Sequence, residues 1–236
     1  MKCNLGNKLI TWISVSDLMT GLMMIFLLLA LSYMRVHQKN LVDIQNLAAA
    51  YIDMKNDIHK ALVEEFKDDL DEWGANIDPN TGTITFVDPE VLFQQGSSEL
   101  SSRFKKILTD FFPRYIRVLS NPKFESHLSE IRIEGHTSSE WTNGTPEIIA
   151  YINNMELSQS RTRSVLSFLL NRSIYTQVYE YESDIMSWII AKTTANGMSS
   201  SRLITDSEGK ENPSASRRVA FGFVLDAETN LELIIK

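Results

Sequence analysis

Asp17 is the residue whose setting most demands a chemical reason. It lies in "SVSDLMTGLMMIFLLLAL", residues 14–31, an apolar run that carries one carboxylate and no other charge. An ionised side chain in hydrocarbon is costly, so it usually faces a protein partner or a water-filled path. In such a path it can bind a proton or a small cation, become neutral, move, and release its ion on the far side. At helical spacing Thr20, Gly21, Met24 and Leu28 share a face with Asp17. The Thr20 hydroxyl can bond the carboxylate or a hydrated ion, and Gly21 lets a neighbouring helix approach closely. The bland alternative is that Asp17, one or two turns inside the run, reaches back to the interface.

The element that must position Asp17 is a helix over about 9–34, slightly longer than the roughly 20 residues that cross a bilayer. Trp12 and Tyr33 fall near its ends, where aromatic rings favour the membrane interface. A cleaved signal would need a short apolar core and small residues at a cleavage site, and "LALSYMRVHQ" supplies a poor one. Lys2 and Lys8 precede the run while Arg35 and Lys39 follow it, so charge barely orients it. A short tail inside (1–8) and a large domain outside is the expectation. The net charge of -7 argues against general nucleic-acid binding, and the single cysteine, Cys3, excludes an internal disulfide. A mean hydropathy of -0.14 means that the hydrophobicity is localised.

From 35 to 75 the spacing of Leu41, Ile44, Ala48, Tyr51, Ile58, Leu62, Phe66 and Leu70 alternates threes and fours, as on one face of a long helix. Such a stripe can pair with its own copy as a coiled coil, with Lys55 interrupting the seam, or pack back onto its own domain. Self-pairing is the expectation. "GANIDPNTGTITF" then predicts a turn into a strand. Helices follow over 101–119, 154–170 and 179–195, with strands over 131–134 and 218–225. This alternation predicts an α/β sandwich with helices on one face of a small mixed sheet over 76–236.

The sequence also contains "VLFQQGSSEL", "IRIEGHTSS", "NMELSQSRTRSVLSFLL" and "SRRV", in that order. Together these resemble the OmpA-like peptidoglycan-binding domain over about 84–225. The stretch "SDLMTGLMMIFLLLAL" resembles the membrane helix of MotB-like stator B subunits. Its wording and short tail are most similar to the B subunits of Zorya anti-phage defence systems. The resemblance implies a homodimer held inside a ring of multi-span A-type subunits, with ion flow driving rotation. It implies a bacterial inner membrane location, an N-terminus in the cytoplasm, and a periplasmic domain that anchors on peptidoglycan. Asp17 would then be the ion-translocating carboxylate, assisted by Thr20, with H+ or Na+ as cargo and no cofactor. A flagellar stator and a passive wall tether are the alternatives, and a tether has no use for Asp17.

OmpA-like domains hold the diaminopimelate of the wall between an acid and an arginine, because a zwitterion needs a cation and an acceptor. Arg161 matches that arginine, with Asn154 and Leu157 at the matching helix-start positions and Thr137 and Ser138 in the loop. Ser138 stands where the family has Asp, and about eight extra residues separate the loop from Arg161. Glu140 is near enough in sequence to substitute. His136 lacks Cys, Asp or Glu neighbours at ligand spacing and is expected to position the loop, with no metal. Arg217 and Arg218 are expected to serve the fold. No GxSxG, Walker or zinc-protease pattern occurs, so no enzymatic activity is expected.

Overall fold

The computed structural model describes residues 3–87, 92–94, 96–171 and 182–226. The chain divides into two compact units, residues 1–50 and 51–236. The first helix, α1 (Cys3–Phe66), contributes to both. Its first part is apolar on every side: Leu18, Met19, Leu22, Met23, Leu27 and Tyr33 are all exposed. A helix apolar all round suits lipid or a helical partner rather than water. Among the described residues it is the one helix long and apolar enough to cross a membrane.

In the second unit α1 behaves differently. Ile58, Leu62 and Phe66 are fully buried, with Tyr51, Met54 and Ala61 packed partly against the same core. The lower half of the predicted stripe therefore packs back onto its own domain and is closed to self-pairing. Arg114 fixes that docking. Its guanidinium meets Glu65 Oε1 at 2.8 Å and Asp69 Oδ2 at 2.8 Å and lies 5.0 Å over the Phe66 ring. Lys123 adds a 2.8 Å bond to Asp57.

The chain then forms α2 (Leu70–Trp73), β1 (Ala75–Ile77), β2 (Ile84–Val87), α3 (Ser102–Leu119), α4 (Pro122–Glu125) and β3 (Leu128–His136). α5 (Glu147–Leu169), α6 (Glu182–Lys192), β4 (Thr193–Gly197), α7 (Pro213–Ser216) and β5 (Arg218–Leu225) complete it. The sheet has five strands in the order β1-β2-β5-β3-β4, antiparallel except for the β3–β4 pair, so it is mixed. Its inner face sends Ile84, Phe86, Ile131, Ile133, Val219 and Phe221 into one core beneath the helices. Phe221, on the central strand, lies 5.8 Å from Phe86 and 5.0 Å from Phe111, edge to face, a favoured arrangement for aromatic pairs. The expected α/β sandwich is the fold.

Three local differences matter. "GANIDPN" is a short strand followed by a hairpin turn, in which Asp78 Oδ1 accepts from the Asn80 and Thr81 amides. The helix expected over 154–170 begins at Glu147, about two turns earlier, so Asn154 lies inside it. The helix expected over 179–195 stops at Lys192, and Thr193–Gly197 forms β4 beside β3; residues 179–181 lie outside the described ones.

Candidate functional site

Asp17 and Thr20 are both exposed on α1. The Thr20 hydroxyl donates to the Ser16 carbonyl at 2.7 Å, so its proton is spent on the helix and its lone pairs remain for an ion or a donor. A side chain at Gly21 would meet nothing within 4 Å, which leaves a flat strip on the carboxylate face. The helix presents the carboxylate, and any enclosure must come from other chains.

In the outer domain, α5 lies close across the ends of β3 and β4. A Cβ on Gly135 would come within 2.7 Å of Thr162 Cγ2 and 3.1 Å of the Ser158 carbonyl, so glycine is what permits this approach. Ser199 locks the junction in a left-handed conformation (φ 49). Its amide donates to Ser158 Oγ at 3.1 Å, its hydroxyl to the Tyr151 carbonyl at 2.7 Å, and its carbonyl accepts from the Thr137 amide at 2.9 Å.

This packing brings together the predicted residues. Thr137 (3% exposed), Ser138 (3%), Asn154 (3%) and Arg161 (9%) are buried, and Leu157 is half-buried. Asn154 Nδ2 donates to the Glu140 carbonyl at 3.2 Å, which ties the long loop to α5. Arg161 Nε donates to the Ser97 carbonyl at 3.0 Å, and its guanidinium lies 4.8 Å over the Phe93 ring. Among the described residues no carboxylate reaches it. Burial, then the neighbouring Arg217 charge, push its pKa down from the ordinary arginine value. The cavity beside it measures about 10 Å³, roughly the room of one water. Glu140 reaches Arg217 Nη1 at 3.3 Å rather than Arg161.

Phe93 and Ser97, quoted in the first sequence motif without a role, are thus parts of the site, and so is Arg217, which was expected to serve the fold. On the opposite face of the sheet, His136 Nε2 lies 3.4 Å from Glu134 Oε2, and Arg202 Nη1 lies 3.2 Å from the same oxygen. The His136 bond, then Arg202, hold the Glu134 carboxyl below its ordinary range against its burial. For His136 burial prevails over Glu134, and its pKa falls. Both shifts favour a neutral imidazole beside an ionised carboxylate. His136 Nδ1 is buried with no partner among the described residues.

A long apolar helix followed by a mixed-sheet α/β domain is the class that this architecture defines. No protein-family model matches the chain. The Zorya protein ZorB of Escherichia coli is 45% identical over 226 residues, covering 95% of this chain and 92% of that protein. The chain belongs to the ZorB family. Among solved structures, a MotB-like protein from Desulfovibrio vulgaris is 22% identical with a TM-score of 0.44, covering 76% of this chain and 94% of that one. The cell wall anchor of the T6SS from Pseudomonas aeruginosa is 16% identical with a TM-score of 0.43, covering 70% and 97%. The periplasmic domain of Helicobacter pylori MotB is 16% identical with a TM-score of 0.43, covering 68% and 88%.

Proposed function

We propose that this chain is the membrane subunit of an ion-driven rotary motor in a Zorya anti-phage defence system. The observation that carries the proposal is Asp17: one exposed carboxylate in the otherwise apolar stretch 14–31 of α1, in a chain of the ZorB family. In this account α1 spans the inner membrane with its N-terminus in the cytoplasm. Two copies stand inside a ring of multi-span A-type subunits, because a single helix cannot enclose an ion path. Asp17 takes a proton, or a sodium ion, from one side. Neutralised, it moves past the ring at low cost and releases the ion on the other side. Thr20 offers its lone pairs to the same ion. The outer domain holds peptidoglycan through the peptide stem and gives the ring something fixed to turn against. Arg161, Asn154, Leu157, Thr137 and Ser138 are the residues to which the OmpA-like motifs assign that grip.

Asp17→Asn keeps the size of the side chain and removes the titratable group. Cells expressing it at normal level should lose phage protection while the complex still assembles. Full protection would exclude Asp17 as the ion carrier. Asp17→Glu moves the carboxylate by about one methylene, and partial or lost protection is expected, because position matters at a crowded interface.

A further inference from the structure

Arg217 lines the small cavity beside Arg161, and its charge bears on that guanidinium. Its Nη1 meets Glu140 Oε2 at 3.3 Å, with the two side chains 32% and 63% exposed. The loop that presents Glu140 is tied down almost residue by residue. The Thr137 amide donates to the Ser199 carbonyl at 2.9 Å. The Ser139 amide donates to Glu211 Oε1 at 2.9 Å, and its hydroxyl donates to Glu211 Oε2. The Glu140 carbonyl accepts from Asn154 Nδ2 at 3.2 Å, so the last tie comes from α5 itself. On the other side, the Arg217 amide donates to the Pro213 carbonyl at 3.1 Å, between α7 and β5. Both backbones are therefore fixed, while the two side chains share one long, exposed contact. Such a pair adds little to stability, so a ligand can part it at small cost.

A zwitterionic ligand end needs an anion for its ammonium, and the pocket has few to offer. Ser138 is neutral and 3% exposed. Glu211 spends both oxygens on Ser139, and Glu134 is engaged by His136 and Arg202. Glu140 is engaged through Oε2 alone among the described residues. We propose that Glu140 supplies the ammonium acceptor that Ser138 lacks, and that Arg217 joins Arg161 on the ligand carboxylate. The end of the stem's diamino acid parts the Glu140–Arg217 pair and gives each partner a new opposite charge. The acid thus comes two residues later in the loop than the OmpA-like pattern places it. This inference rests on the wall-anchoring function proposed above. It keeps Arg161 in the grip and adds the residues that complete it.

The full chain in detergent micelles, titrated calorimetrically with the disaccharide tetrapeptide that a muramidase releases from isolated cell wall, tests this. The diamino acid carries the only free amine of that fragment, and acetylation removes its charge. Glu140→Gln should weaken binding of the free-amine fragment about tenfold, the effect of losing one charge-assisted bond. Acetylation should weaken binding to the unaltered chain by a similar factor. It should change binding to Glu140→Gln by less than twofold, because both changes remove the same contact. Arg217→Met should weaken both forms of the fragment alike, about tenfold. Melting temperatures close to that of the unaltered chain show that each variant is folded. Glu140→Gln binding the free-amine fragment within twofold of the unaltered chain overturns the inference and leaves wall anchoring intact. Equal loss of both forms in Glu140→Gln overturns it too, because Glu140 then only positions the loop. Arg217→Met binding both forms normally, or sacculi binding without the fragment, has the same result. If the unaltered chain binds neither fragment nor sacculi, wall anchoring falls and the inference falls with it.

Discussion

Tyr115 places its hydroxyl in the aromatic core, fully buried and with no partner among the described residues, and burial pushes its pKa well above the usual tyrosine value. An unmade buried hydrogen bond costs about 1–3 kcal/mol. Tyr115→Phe removes the hydroxyl and keeps the ring stacked on Phe111 at 5.2 Å. Thermal unfolding should show equal or higher stability, and a clear loss would mean that the hydroxyl has a partner in solution. His136 behaves in the opposite sense because it titrates. Its folded-state pKa lies below the ordinary value of 6.5, so the unfolded chain takes up the proton first. Stability is therefore full above about pH 6.5 and declines as pH falls below it. Glu134, also lowered from its ordinary 4.5, extends the decline below that pH. A melting temperature that drops from pH 7.5 to 5, with a shallower drop in His136→Gln, is expected. An unchanged slope in the variant would place the titrating group elsewhere.

At the scale of elements, the stretch between membrane and domain is where sequence and structure part most usefully. The three-four spacing located the helical stripe correctly, but periodicity cannot say what covers it. Phe66 packs against Phe111 of α3 at 5.2 Å, Ile58 and Leu62 are buried in the same core, and Arg114 closes the edge. The domain therefore needs more chain than the motifs span. A fragment beginning at Thr83 lacks these three residues, Trp73 and β1, and removal of even one such side chain costs about 2–5 kcal/mol. It should be insoluble or unfolded by circular dichroism, whereas one beginning at Tyr51 should melt cooperatively. Cooperative melting of the shorter fragment would show that α1 is only an adornment. β4 was hidden because Trp188, Ile189 and Ile190 continue a helical pattern into it, although Thr193 and Thr194 are β-branched. β5, with turn residues before it and a run of apolar residues within it, was fully legible. Asn154, a helix-start residue of the OmpA-like pattern, lies about two turns inside α5, whose first turns at Glu147–Ile149 precede that motif. The candidate wall residues were legible as a cluster. Their burial was not, because it depends on how closely Gly135 lets α5 approach.

As a whole, the molecule is proposed to join an ion-carrying helix to a domain that holds the wall, and the second has no use without the first. The direct measurement is ion flux. Vesicles containing the chain with its multi-span partner, loaded with a pH-sensitive dye and given a membrane potential, should acidify, and the same vesicles made with Asp17→Asn should stay flat. If sodium is the cargo, a sodium-sensitive dye should report the same contrast. Equal flux of either ion from the Asn variant and the unaltered chain would contradict the account at its foundation, because no other ionisable side chain lies within the apolar run of residues 14–31.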